Sequence, residues 1–232
     1  MSYQGERKMT KIPNQIAMDG TAASGKTTVG KIVAGKLGYL FFDTGIMYRV
    51  AAYSADQQLH DVSDEAKVSK VVEEMNIELQ NDEENGVTNV LLNGENITDR
   101  LHLPEVDKIV STVAAYPAVR KALTAQQRRI GLAGRVVMVG RDIGTVVMPD
   151  AEMKIYLEAS PETRAKRRWL ENLSNNIESE TYEEILADII KRDKADRERT
   201  VAPLRPADDA VIIHTDELTA GEVAEKILGL ME

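Results

Sequence analysis

Ile16-Ala17-Met18-Asp19-Gly20-Thr21-Ala22-Ala23-Ser24-Gly25-Lys26-Thr27-Thr28 decides how the rest of the chain is read. It runs from a short apolar strand through a loop of small residues into the start of a helix. Gly20, Gly25, Lys26 and Thr27 occupy the fixed positions of G-x-x-x-x-G-K-[ST], the phosphate-loop pattern. Backbone N–H groups can close around an anion only where bulky side chains are absent, so small residues fill the loop. The helix that follows turns its positive dipole end toward the anion. Lys26 is expected to reach the β- and γ-phosphates, and the Thr27 hydroxyl to sit on Mg²⁺. The alternative is a chance glycine turn. The strand before it and the helix after it argue against that.

Composition narrows the class. The chain has 232 residues, 43% hydrophobic and 29% charged, which suits one large α/β domain or a core with small insertions. Aromatic residues make up only 4%, so the core has to be aliphatic. Cysteine is absent, which removes disulfides and thiolate metal sites and fits a cytoplasmic setting. No apolar run approaches the length of a membrane span, so no membrane partner is expected. The net charge of −9 argues against nucleic acid. Residues 1–11 are polar and basic and are expected to fray.

Outward from the loop, Lys26 to Leu37 reads as a helix with Val29, Ile32, Val33 and Leu37 on one face and Gly38 as its stop. Tyr39 to Phe42 is an apolar strand, and strand–helix–strand predicts a buried parallel sheet. It ends at Asp43-Thr44-Gly45, before a helix carrying Tyr48 and Arg49. Ligands lie beyond the carboxyl ends of such strands, so Asp43, Thr44, Tyr48 and Arg49 are expected to face the phosphate loop. Further core strands are predicted over Arg135–Val139, Met153–Leu157 and Ala210–His214, giving a five-stranded sheet. From Val62 to about Ala115 the pattern changes: a helix, two strands joined by an acidic turn, and an Asn93-Gly94 hairpin signal. Antiparallel hairpins do not belong in a doubly wound sheet, so this stretch reads as an inserted subdomain.

Arginines need a local explanation in so acidic a chain. Gly140-Arg141-Asp142-Ile143-Gly144-Thr145 ends a core strand and suggests a ligand loop. Arg164, Lys166, Arg167 and Arg168 crowd one helix, read either as a solvated face or as a clamp on phosphates. The next long helix opens on the capping box Thr181-Tyr182-Glu183-Glu184 and is expected to bury Tyr182, Ile185, Leu186, Ile189 and Ile190. Its far end puts Arg192, Asp196 and Arg199 on one face, with Asp193 and Arg197 beside them; a salt-bridged exposed helix is the plain alternative. His214 and Trp169 carry no motif and read as structural. A phosphate loop with arginine-bearing loops at strand ends points to nucleotide-dependent phosphoryl transfer.

The motifs D-G-x-A-A-S-G-K-T-T at Asp19–Thr28, D-T-G-x-M-Y-R at Asp43–Arg49, G-R-D-I-G-T-V-V at Gly140–Val147 and A-P-L-x-x-A-D-D-A at Ala202–Ala210 resemble, in this order and spacing, the bacterial cytidylate kinases. The resemblance runs from about Asn14 to the C-terminus. It implies a P-loop nucleoside monophosphate kinase: an α/β three-layer fold with a five-stranded parallel sheet, an inserted monophosphate-binding subdomain and a lid. The core would span 12–61, 116–159 and 181–232, the insert 62–115 and the lid 160–180 of a single kinase domain, expected to be a monomer. It implies ATP and CMP or dCMP as substrates, with Mg²⁺ on the ATP. Gly20, Thr21, Ala22, Ala23, Ser24, Gly25, Lys26, Thr27 and Thr28 would hold ATP, with Arg164, Arg167 and Arg168 closing as lid arginines. Arg49, Arg141 and Arg199 would hold the acceptor phosphate and, with Lys26, form the catalytic set. Ser111, Arg120 and Asp142 would contact the cytosine. Arg192 and Asp196 would lie near the ribose, and Thr44 and Tyr48 would line the same pocket.

Chain-specific expectations follow. Asp142 can accept from the cytosine amino group and would repel the uracil carbonyl, so CMP should be preferred over UMP. Thr21 stands where the family usually has proline, and Val139 where an acid commonly precedes Gly-Arg-Asp. Without that acid, Thr27 and the phosphates are expected to be the main metal ligands. Two rival readings are a kinase of another small acceptor and a nucleotide switch such as a GTPase. The second would need an N-K-x-D motif, which is absent.

Overall fold

The computed structural model describes residues 12–82, 87–174 and 180–231. The N-terminal stretch expected to fray, part of the acidic turn and part of the lid segment lie outside them. The chain divides into two compact units, one of residues up to Asp43 and from Arg128 onward, the other Thr44–Gln127.

The first unit holds a five-stranded parallel sheet in the order β2-β6-β1-β7-β8, from β1 (Gln15–Gly20), β2 (Leu40–Asp43), β6 (Val136–Gly140), β7 (Met153–Glu158) and β8 (Val211–His214). The central strand β1 is the phosphate-loop strand, paired with Val136–Gly140 on one side and Met153–Leu157 on the other. This explains its unbroken apolar run, since both faces are covered. The phosphate-loop helix α1 (Lys26–Leu37) and the C-terminal helix α8 (Ala220–Gly229) bring Val29, Val33, Val223 and Ile227 against Ile16, Met18, Val137 and Ile155. Gly30 sets how close α1 comes: a Cβ there would lie 2.8 Å from Val139 Cγ1 and 2.9 Å from the Phe41 ring.

Two burial expectations are corrected. Leu40 is 43% exposed, and Val211 and Ile212 are also exposed, because β2 and β8 are the edges of the sheet. In α7 (Tyr182–Glu198), Ile190 is 50% exposed. The buried stripe is instead Ile185, Ile189 and Asp193, spaced four apart. Ile190 lies about 100° around the helix from Ile189, off that stripe. Ile185 and Ile189 pack on Ala165 and Trp169 of α6 (Pro161–Ser174). The expected capping box forms at Thr181/Glu184, and a second forms at Thr219/Glu222.

The second unit holds α2 (Gly45–Leu59), α3 (Glu65–Glu74), α4 (Pro104–Ala115), the N-terminal part of α5 (Pro117–Leu132) and an antiparallel sheet of β3 (Ile77–Asp82), β4 (Val87–Leu92) and β5 (Glu95–Asn96). Asn93 and Gly94 both have positive φ, 51° and 87°, as a tight hairpin turn of matching twist requires. Val68 and Val72 of α3, Val106, Val110 and Val113 of α4, and Val119 and Leu123 of α5 form the buried faces.

Candidate active site

In the first unit the phosphate loop joins β1 to α1. Gly20 has φ +152° and approaches β7 so closely that a Cβ would lie 2.2 Å from the Leu157 carbonyl oxygen. Lys26 is buried and turns back into its own loop, donating to the Thr21 carbonyl and, at 3.2 Å, to Ser24 Oγ. Burial pushes its pKa well below the usual lysine range and Arg141 pushes the same way, against Asp43 and Asp19. The Thr27 hydroxyl donates to Asp43 Oδ2 at 2.8 Å.

The three arginines expected to close on ATP have three different settings. Arg164 is buried, donating to the Ala159 and Ala22 carbonyls and, bidentately, to Asp193 at 3.1 and 2.5 Å. It ties the phosphate loop to α7 from inside. Arg167 donates to Thr215 Oγ1 at 3.1 Å and to the Thr215 carbonyl. It lines a pocket of about 220 Å³ with Gly25, Thr28, Thr215, Leu218 and Val223. Arg168 is exposed, 3.3 Å from Glu171. Of the four cations in this run, Lys166 and Arg168 lie on the solvated face, while Arg164 is core.

Beyond β6 the expected acceptor-side residues come together. Arg141 Nε donates to Asp196 Oδ2 at 3.0 Å. Arg199 reaches Asp196 at 3.5 Å, Asp142 at 3.6 Å and the Ala202 carbonyl at 2.6 Å. The end of α7 is therefore not an exposed salt-bridged surface. Burial alone would raise the Asp196 pKa; Arg141, Arg199 and Arg192 outweigh it and hold the carboxyl below its ordinary value. Gly140, just before Arg141, pairs with Asp19, just before the phosphate loop, which brings this cluster beside that loop.

The remaining candidates belong to the second unit. Arg120 is buried with its guanidinium 5.3 Å from the centre of the Tyr48 ring, and it donates to the Ala114 carbonyl at 3.0 Å. Thr44 is buried just before α2, and Ser111 is half-buried on α4. Arg49 donates to the Leu101 carbonyl at 2.8 Å and pairs with Asp107 at 2.7 Å.

The family model for cytidylate kinases matches residues 16–232. The chain belongs to the cytidylate kinase family. Its phosphate loop and five-stranded parallel sheet are those of a P-loop kinase core. A cytidylate kinase of Bacillus velezensis is 47% identical over 217 residues, 94% of this chain and 96% of its own. One of Bacillus thuringiensis is 45% identical, over 93% of this chain and 95% of its own. Among solved structures, a shikimate kinase from Bacteroides thetaiotaomicron has a TM-score of 0.46 at 16% identity, covering 93% of this chain and 96% of that one.

Against the family pattern, Val139 can now be placed. It is 1% exposed and packs toward Gly30 of α1, and its register partner in the neighbouring strand is Asp43. A carboxylate thus does stand beside Thr27, one strand over from the apolar position. Asp43 was legible as a strand-end acid. Asp19 and Asp193, both buried, carried no local signal of their contacts.

Proposed function

We propose that this chain is a cytidylate kinase that transfers the γ-phosphate of ATP to CMP or dCMP, giving ADP and CDP or dCDP. One observation carries the reading: a phosphate loop and a half-buried Arg141–Asp196–Arg199–Asp142 cluster in one compact unit, set side by side by the pairing of Asp19 with Gly140. Two anionic reactants have to approach each other, and fixed arginine forks offset their repulsion and align them. Lys26 and the amides of Gly20–Thr28 hold the donor phosphates, and Arg167 borders the pocket for the rest of the donor. In the first unit, the reading assigns Arg141 and Arg199 to the acceptor phosphate, Asp142 to the base, and Arg192 and Asp196 to the ribose. In the second, the resemblance assigns Arg49 to the phosphate, Arg120 and Ser111 to the base, and Thr44 and Tyr48 to the pocket lining. The acceptor phosphate is already ionised, so no general base is needed. Arg168, the exposed arginine of α6, is the one suited to close over the donor and exclude water.

Mg²⁺ fits the donor set here: the Thr27 hydroxyl and the Asp43 carboxylate are hard oxygen ligands 2.8 Å apart. When bound with ATP, Mg²⁺ neutralises charge on the phosphates. Thr27 would be its direct protein ligand, and Asp43 would orient Thr27. Replacing Asp43 by Asn should weaken Mg²⁺ affinity roughly tenfold to hundredfold, as losing an outer-sphere partner does. Manganese binding to the ATP complex, followed by electron paramagnetic resonance, checks this without turnover.

A chain without cysteine fits a reducing compartment; among the described residues no helix is long and apolar enough to cross a membrane. The test of function is ADP release with CMP, dCMP, UMP and shikimate as acceptors. Turnover with CMP and dCMP, and little with UMP or shikimate, is the expected result. ADP release indifferent to acceptor would refute the assignment.

A further inference from the structure

The loop that follows Arg141-Asp142 is a π-helical turn, Ile143–Val147. Its ring bonds run from Val147 N to the Asp142 carbonyl at 3.1 Å and from Met148 N to the Ile143 carbonyl at 2.7 Å. Such a turn leaves its leading N–H groups without partners inside the turn. Asp142 stands at the capping position, and aspartate is a preferred capping residue. Yet the Asp142 side chain makes no capping hydrogen bond. The leading amides go to another acid: Ile143 N donates to Asp19 Oδ1 and Gly144 N to Asp19 Oδ2, each at 2.7 Å. Asp19 is 3% exposed and lies 124 residues away in sequence, at the last position before the phosphate loop. A Cβ on Gly144 would lie 3.4 Å from Asp19 Oδ2, an ordinary contact, and 3.3 Å from Lys154 Cδ.

We propose that Asp19 is a positioning residue for base selection: it caps the 143–147 turn in place of Asp142, and so keeps the Asp142 carboxylate turned toward Arg199 and the nucleobase. Remove that cap, and Asp142, at the capping position, can accept from the Gly144 amide in its place. It then turns away from Arg199, 3.6 Å distant, and from the base edge. The donor side is held by other means. The phosphate loop is fixed by the Gly20 approach to Leu157, by Lys26 and by the Arg164 bond to the Ala22 carbonyl. Asp19 also supports the charge on Lys26, so the loss should fall first on acceptor choice and only weakly on ATP. This inference rests on the cytidylate kinase reading.

Ionisation offers a second handle. Burial raises the Asp19 pKa to about 6, against the lowering effect of the two amides. Asp142 adds to the rise, Lys26 of α1 opposes it, and Tyr156 and Lys154 of β7 are the other titratable side chains at this spot. A protonated acid cannot accept from both amides, so acidification should mimic removal of the cap.

The experiment compares wild type, Asp19→Asn, Asp142→Asn and the double variant, measuring kcat/KM for CMP and UMP and KM for ATP. Asp19→Asn should lower the CMP-over-UMP ratio about tenfold to hundredfold, the range for hydrogen bonds to a charged group, with KM for ATP changed less than about threefold. The double variant should discriminate no worse than Asp142→Asn, because both changes act through one carboxylate. Multiplicative losses, or equal losses for CMP, UMP and ATP, overturn the proposal. A wild type that ignores CMP defeats the functional assignment instead, and the positioning claim then rests on a substrate-free readout. In wild type the Ile143 and Gly144 amide resonances should titrate together near pH 6, and the CMP-over-UMP ratio should fall over the same range. Both acceptors carry the same phosphate, so its own titration cancels in that ratio. Amide signals that show no Asp19 titration anywhere between about pH 3 and pH 7 refute the cap even if Asp19→Asn fails to fold.

Discussion

The arginines of the two units are held in opposite ways. In the first unit, Arg141 and Arg199 share Asp196, Arg199 also reaches Asp142, and Arg164 grips Asp193, all with side chains largely out of solvent. In the second, Arg49 pairs singly with Asp107, with side-chain exposures of 18% and 36%, and Arg120 rests on the Tyr48 ring. An interlocked cluster fixes guanidinium forks in place before a ligand arrives, so little ordering remains to be done on binding. A single half-open pair leaves its arginine able to exchange one anion for another at small cost. The first arrangement suits groups that must already be aligned at the moment of transfer. The second suits a group that engages its anion as it arrives.

If so, the largest effect belongs to the cluster. Arg141→Ala should cut kcat on the order of 10³–10⁵-fold, by analogy with arginine fingers, with ADP release at saturating ATP and CMP as the assay. Arg49→Ala should act more on KM for CMP than on kcat. Equal kcat losses in the two variants would erase the distinction drawn here.

Next is the buried pair in the first unit. Asp193→Ala leaves Arg164, 1% exposed, without its carboxylate. An uncompensated buried charge of this kind costs about 3–5 kcal/mol, to be read from urea unfolding. Replacing both, Arg164→Met with Asp193→Leu, should recover most of that stability. Since Arg164 also holds the Ala22 carbonyl, the double variant should bind ATP less well even while folded. A double variant with unchanged ATP binding would show that the arginine serves the core alone.

These pairs also mark where sequence reasoning stopped. The sheet strands, the hairpin, the capping boxes and the phosphate loop are local patterns, and they were legible. The exposure of Leu40 was not, because which strand lies at an edge is a property of sheet order. Arg164 sat in a run of cations that read either as a solvated face or as a phosphate clamp, and Asp193 beside a face whose plain alternative was an exposed salt-bridged helix. Their partnership spans 29 residues and the Asp19 cap spans 124, separations no spacing rule covers. Four-residue spacing in α7 did hold the clue: Ile185, Ile189 and Asp193 continue one stripe, with a carboxylate at its end.

Asp19 should respond to pH in the opposite sense to the other shifted acids of both units, Asp196 and Asp216 of the first among them. Burial, the largest influence, lifts Asp19 to about 6 from an ordinary 3.8, so the folded chain holds that proton more tightly than the unfolded chain. Its contribution is fully present below the unfolded value and is lost as pH rises through about 6, on the order of 2–3 kcal/mol in all. In the second unit, Asp61 and Asp64 are lowered, chiefly by accepting from the Ser63 and Lys67 backbone. Their contribution runs the other way, present at neutral pH and lost on acidification. Urea unfolding between pH 4 and 7 should show the falling slope, and Asp19→Asn should flatten it. A wild-type profile without that slope would mean that the amides of Ile143 and Gly144 compensate burial fully.

The smallest effect sharpens the comparison most. Asp107→Asn removes the ion-pair partner of Arg49 while leaving its bond to the Leu101 carbonyl. A half-exposed pair is worth at most about 1 kcal/mol, so the melting transition should barely move. If Asp107 serves only as a placeholder for the acceptor phosphate, its removal should improve CMP binding by about the same amount, and a titration of CMP should show a tighter complex. A weaker complex would mean that Asp107 aims Arg49, as Asp196 aims Arg141. The two units would then solve the same positioning problem in the same way.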